Sequence, residues 1–282
     1  MRHLKTGNTL FFYKNGGLLW FFFNVLPVFG ETSLFSEGSP IHINADQMEY
    51  NMIDGTATAK GHAVAQQGDY RLDASLFVVK LGENKSASSK KEGLQKIQAF
   101  GDVHLSSLKE EIFGESAVYE MEKEILTVFG HPVTLISEKG RLSAQDRISY
   151  NIQKKKAVAF GDVHITGEGN EMIAPKVTAY FESPSAQKET LNLHRVYAEG
   201  GVFIKSQGFV AQSEEANYFV ETGDVNLTGN VKISDGENIF EGPCGSYNQK
   251  TKKSQLVPCS SAQSIGKKGR VKALLYQKRK AD

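Results

Sequence analysis

Apolar and polar residues alternate in steps of two along most of this chain. In Ala99-Phe100-Gly101-Asp102-Val103-His104-Leu105, the residues Ala99, Gly101, Val103 and Leu105 share one face, while Phe100, Asp102 and His104 share the other. That is strand periodicity, and no segment carries a convincing amphipathic-helix pattern. The same run returns as Ala159-Phe160-Gly161-Asp162-Val163-His164-Ile165, and more loosely as Ala198 to Ile204 and Leu227 to Ile233. Two variants, Gly61-His62-Ala63-Val64 and Gly130-His131-Pro132-Val133, carry one more residue before the valine, which suits a β-bulge. Each such strand predicts a turn and then a second strand that starts at a small residue and reaches tyrosine. Examples are Gly114 to Tyr119, Ala174 to Tyr180, Ala211 to Tyr218 and Gly242 to Tyr247. Glu168-Gly169 and Asp235-Gly236 sit where hairpins should reverse.

The repeats have a second, longer period. Gly161 lies 100 residues after Gly61, and Gly200 and Gly229 lie 99 after Gly101 and Gly130. The chain therefore reads as a duplicated block, residues 31–140 and 141–254, with three strand-turn-strand units in each. The block starts align as well: Ala45 to Asn51 corresponds to Ala144 to Asn151 with one residue added. Two Ser-, Lys- and Gln-rich insertions, Gly82 to Gly93 and Glu182 to Thr190, read as surface loops at equivalent points. A glycine recurring once per unit puts the same corner into every layer. Stacked layers with a shared corner make an all-β fold, a twisted β-jelly-roll or V-shaped solenoid of antiparallel strands with an apolar interior groove. With about 12 to 14 strands shared between two walls, the trough should be roughly 30 to 35 Å long.

Charge and chemistry narrow the function. The 282 residues are 40% hydrophobic, and 33 basic residues balance 32 acidic ones, so no bulk field points to nucleic acid. The basic excess is local, in a tail over residues 255–282 that reads as flexible. Residues 1–30 have a signal-peptide layout: Arg2, Lys5 and Lys14 precede an apolar run from Leu18 to Phe29, shorter than the ~20 residues of a spanning helix. Export predicts a mature start near Glu31 and a periplasmic location. An oxidising compartment would let Cys244 and Cys259 pair, although sequence alone does not fix whether their Cα atoms approach. No nucleophile elbow or phosphate loop is present, and Asp102, Asp162 and Asp224 recur as strand or turn residues. His104 and His164 repeat in register on the outward face without a carboxylate or thiol at ligand spacing. The expectation is no enzyme, no metal and no cofactor.

What remains is the apolar face. Val103, Leu105, Val163, Ile165, Val202, Ile204, Val231 and Ile233 are predicted to line one continuous inner surface. Small inward residues such as Ala59, Ala99, Ala159 and Ala198 should leave room between the walls. A stack of this kind also ends in open strand edges, which suit docking by strand addition.

The opening Ile41-His42-Ile43-Asn44-Ala45-Asp46-Gln47-Met48-Glu49-Tyr50, followed by the ordered Ala-x-Gly-Asp/Asn-Val and Ala-x-x-x-Tyr strands, resembles the OstA-like family from about Ile41 to Ser254. The resemblance implies a periplasmic bridge that carries lipopolysaccharide from the inner to the outer membrane. Its partners would be an inner-membrane anchor and an outer-membrane translocon with similar jelly-rolls, and copies could associate head to tail. Acyl chains would ride inside, since about a dozen methylenes in water cost on the order of 10 kcal/mol. Two other readings stay open: a membrane-anchored component of the same pathway, and a carbohydrate-active β-solenoid enzyme. The duplication, the loop insertions, the cysteines and the basic tail depart from a minimal single-block member.

Overall fold

A computed structural model describes residues 40–82, 93–183, 191–206, 209–248, 250–251, 253–259 and 270–275. The signal segment, most of both loop insertions and most of the basic tail lie outside the described residues.

The described chain is a single antiparallel sheet of 18 strands. Its first layer is made of two short strands, β1 (His42–Asn44) and β2 (Gln47–Asn51). Four long strands follow, each a layer of its own: β3 (Thr56–Gln67), β4 (Tyr70–Leu81), β5 (Leu94–Ser106) and β6 (Glu110–Glu120). Two split layers come next, β7 (Ile125–Phe129) with β8 (Val133–Ser137), and β9 (Gly140–Ala144) with β10 (Arg147–Asn151). Six long strands continue the stack: β11 (Lys156–Gly167), β12 (Asn170–Glu182), β13 (Asn192–Ser206), β14 (Phe209–Phe219), β15 (Asp224–Ser234) and β16 (Ile239–Asn248). The last layer is split again into β17 (Lys253–Val257) and β18 (Lys272–Leu274), both paired to β16. Because four pairs of short strands each share a layer, the described strands form 14 rungs. Part of the stretch read as a loose tail is thus tied to the sheet.

Every long strand belongs to both walls, and β3, β5, β11, β13 and β15 bend at a glycine. The bend is a β-bulge, in which Gly161-Asp162 of β11 stands against the single residue Pro175 of β12. Gly61-His62 against Ser75, Gly101-Asp102 against Glu115, Gly200-Gly201 against Glu214 and Gly229-Asn230 against Pro243 repeat it. Both residues of each pair have positive φ, for example 90° at Gly161 and 41° at Asp162. That conformation explains the sequence Gly-Asp, Gly-Asn or Gly-Gly, because these are the residues that tolerate the left-handed region best. Prolines fit opposite the bulge, where a missing N–H leaves the ladder intact. The corner at Gly161 is also crowded: an added Cβ would lie 2.9 Å from the Asp146 backbone nitrogen.

Three expectations change. Since each strand serves both walls, the rungs are not divided between them, and 14 rungs at ~4.8 Å make a stack of roughly 60 Å, about twice the expected trough. Gly61-His62-Ala63 carries no extra residue, because Ala63 itself takes the buried place that Val103 holds in β5. In Gly130-His131-Pro132-Val133 the extra residue is real: the strand breaks between β7 and β8, His131–Pro132 is cis, and Val133 is buried. Nor do the small residues Ala99 and Ala117 leave a gap. The interior beside Leu72, Ile97, Leu105 and Leu126 holds a space no larger than about one water, so larger side chains fill what the alanines leave.

Candidate lipid-binding interior

Two walls face each other across this interior, and each contributes rows of side chains that cross all the rungs. On the wall after the corner, one row passes through Ile43, Ala65, Leu72, Leu105, Ile112 and Leu135. It continues through Leu142, Ile165, Met172, Ile204, Ala211 and Ile233 to Phe240 and Ala273. The ladder register makes this row apolar without interruption. Val103, Val163, Val202 and Val231 stand one step closer to the corner on the same wall. Of the eight residues picked from sequence, Val103, Leu105, Val163, Ile165, Val202, Ile204 and Val231 are buried, and Ile233 is half-buried near the carboxyl-terminal end. They do not touch one another as a single patch, because rungs 5 to 7 separate β5 from β11.

The opposite wall carries a row that sequence reasoning did not single out. Tyr50, Tyr119, Tyr150, Tyr218 and Tyr247 occupy one line, near the strand ends away from the corner, with Leu126, Val196 and Val225 between them. The recurring tyrosine that ends the second strand of several units was the available signal. Burial pushes the Tyr218 phenol up to about 12. Burial, reinforced by the charge of Glu124, does the same to Tyr119, and burial raises Tyr150 further still. These hydroxyls stay protonated at any physiological pH and act as neutral hydrogen-bonding groups set in an apolar wall. In β12 the pattern slips by one place, so Tyr180 faces outward between Lys156 and Arg195 while Phe181 points in.

The outward face mixes polar side chains with exposed aromatic and aliphatic ones such as Phe100, Phe160 and Ile173. His164 Nε2 sits 2.6 Å from Glu171 Oε1, and His104 stacks on Phe113 with centroids 4.4 Å apart. Among the described residues, no group of three or more His, Cys, Asp or Glu side chains could hold a metal. Asp102 and Asp162 are the second residues of the corner bulges. Cys244 on β16 and Cys259 beyond β17 form a disulfide with Cα atoms 5.2 Å apart.

The two ends of the stack differ. β1 and β2 pair only with β3 among the described residues, which leaves Met48 56% and Tyr50 53% exposed. The matching residues of rung 7, Ile148 and Tyr150, are each 3% exposed because β7 lies across them.

A model of the family described as LptA/(LptD N-terminal domain) LPS transport protein matches twice, over residues 42–156 and 144–253. The lipopolysaccharide export system protein LptA of Escherichia coli K12 is 23% identical over 137 residues, 49% of this chain and 72% of that protein. The LptA of Shigella flexneri matches to the same extent. Among solved structures, LptH of Pseudomonas aeruginosa, the LptA homologous periplasmic component of the lipopolysaccharide transport device, aligns at 14% identity. The alignment covers 89% of this chain and 100% of that one with a TM-score of 0.23, a likeness too loose to support anything further. With the family model matched over well more than half of the 282 residues, the chain belongs to the LptA/(LptD N-terminal domain) family of LPS transport proteins.

Proposed function

We propose that this protein is a periplasmic relay, which takes lipopolysaccharide acyl chains between its walls and passes them along the stack toward the outer membrane. The observation that carries this reading is the apolar row from Ile43 to Ala273, which offers a chain of methylenes an apolar side chain at every rung and is buried from Ala65 to Ala211. Leaving such a chain in water costs on the order of 10 kcal/mol, and a break in the row would impose part of that at one step. Val103, Leu105, Val163, Ile165, Val202, Ile204, Val231 and Ile233 are the proposed contacts. The tyrosine row would meet the lipid where its acyl chains give way to polar groups, with the neutral phenols donating to phosphate or sugar oxygens. Because the interior is filled, lipid must replace contacts between the walls rather than enter a vacant channel. The two sequence blocks, 31–140 and 141–254, would act as consecutive stretches of one path. Partner jelly-rolls of an inner-membrane anchor and an outer-membrane translocon would meet the stack at its ends, the naked first rung above all.

Photo-crosslinking residues at Val103, Val163 and Val202 should capture lipopolysaccharide in cells, whereas the same probes at Asp102, Asp162 or His164 should not. Capture confined to the second set would sink the proposal. So would unimpaired arrival of new lipopolysaccharide at the cell surface after depletion of the protein.

A further inference from the structure

The block starts are six rungs apart, at rungs 1 and 7, and β16, which is rung 13, repeats that first rung within the stretch 141–254. Tyr50-Asn51, Tyr150-Asn151 and Tyr247-Asn248 hold equivalent places. In each, the tyrosine faces a small residue of the next rung, Ala57, Ala157 or Ser254. In each, the asparagine Oδ1 accepts from a turn amide, that of Ile53, Lys154 or Thr251. The side facing the preceding rung is equivalent too. Rung 7 lies on β7 through Tyr150 against Leu126 and Ile148 against Val128. Rung 13 lies on β15 through Tyr247 against Val225 and Gly245 against Leu227.

The edge of β15 is therefore of the kind that a first rung covers, and the chain covers it with its own β16. We propose that rungs 13 and 14 are an intramolecular cap, which occupies the edge where the first rung of a second copy of this chain would dock. With the cap open, Met48 and Tyr50 of the incoming copy would lie against Leu227 and Val225, and Ile43 against Ile233. These are the pairings that Ile148, Tyr150 and Leu142 make with β7 and β8 inside the molecule. The apolar side chains exposed at the first rung are those the docking would bury.

The cap's hold depends on its outer rung. Between the inward Phe240 and Tyr247, β16 offers the interior only Gly242 and Gly245, and Leu256 of β17 lies over both. A Cβ on Gly245 would come 3.0 Å from Leu256 Cδ2, and one on Gly242 3.5 Å from Leu256 Cβ. The Cys244–Cys259 bond keeps β17, and with it Leu256, on β16. Without that rung, β16 would leave two glycines in an apolar wall and peel from β15 more readily. A disulfide across about 15 residues shifts the detachment of β17 from β16 by roughly a hundredfold.

The test uses the full chain without lipid, so its result is independent of the relay reading. Glu49→Cys and Asn226→Cys place thiols on strands that would be opposite in the docked pair, as Ser149 and Thr127 are across rungs 7 and 6. Three forms carrying them are treated with a short bis-maleimide: one with the native disulfide, one with Cys244→Ser and Cys259→Ser, and one with the disulfide kept and Leu256→Ala. Amide exchange across β16 is followed in all three. The capped form should stay monomeric by light scattering, and both opened forms should exchange faster at β16 and give crosslinked ladders. Equal crosslinking of the capped form would overturn the proposal. Opened forms that exchange faster yet stay monomeric would overturn the docking edge, and unchanged exchange would overturn the role of Leu256 and the disulfide.

Discussion

Rungs 1 and 7 are built from the same sequence pattern and meet opposite fates. Each has a corner aspartate, an inward aliphatic residue, an inward tyrosine and a turn-capping asparagine: Asp46, Met48, Tyr50 and Asn51 in one, Asp146, Ile148, Tyr150 and Asn151 in the other. In rung 7 the inward pair is buried under β7, while in rung 1 it is open to solvent. Burial here is decided by the neighbouring rung, not by the residue or its strand. A sequence pattern that places a side chain on the inner face does not say whether anything covers that face.

The largest test of this contrast is truncation of the inward pairs. Tyr150→Ala should destabilise the isolated protein by about 3–5 kcal/mol and Ile148→Ala by about 2–5, read by urea unfolding. Tyr50→Ala and Met48→Ala should change it by roughly 0.5 kcal/mol, because their surroundings are already wet. Equal losses at both rungs would show that rung 1 is covered in solution. The corner glycines give a smaller contrast. Gly61→Ala and Gly161→Ala share a left-handed φ, which costs a Cβ about 1–2 kcal/mol. At Gly161 the new Cβ also meets the Asp146 backbone nitrogen at 2.9 Å, whereas at Gly61 it meets the Asp46 carboxylate, which can swing aside from His62, and Asp46 Cβ at 3.0 Å. Gly161→Ala should therefore lower the unfolding midpoint more than Gly61→Ala.

The smallest effect belongs to the turn that leads into the third copy, β16. The Asn238 side-chain amide, helped by backbone amides, holds the Asp235 carboxyl below its usual range. A carboxyl with a folded pKa below its unfolded one contributes stability that is present above the unfolded value and lost as pH falls through the folded one. Asp235→Asn should therefore flatten the acid limb of stability slightly and leave neutral-pH unfolding almost unchanged. An identical acid limb in the variant would deny the turn this role.

Much of the fold was legible because strand parity and the corner glycine are both local. Ala99, Val103 and Leu105 face inward as their alternation implies, although a bulge rather than simple alternation carries them past Gly101. What escaped the sequence depends on the partner strand. Whether Gly61-His62-Ala63 or Gly61-His62-Ala63-Val64 spans the corner is settled by Ser75 on β4, and the stack's length by each strand serving two walls. The second residue of each bulge could have been read: Asp102, Asp162 and Asn230 are residues that favour the left-handed region, an observation that solvation alone does not explain. The tyrosine row was half visible as a recurring strand end, but its common face emerges only once five rungs are in register. The relation of β16 to the first rung was visible in Tyr247-Asn248, whereas the glycines and Leu256 that set its hold acquire meaning only from packing.

The bulged corners give the molecule a directional stiffness. Ladder hydrogen bonds run from rung to rung, along the stack, and the covalent chain crosses from wall to wall at the bulges. Stretching or shearing the stack strains many backbone hydrogen bonds at once, while spreading the walls works only against side-chain contact, with the line of glycine-led bulges as a spine. Such a body is rigid as a rod and compliant as a clasp, so its walls can part without loosening the rod itself.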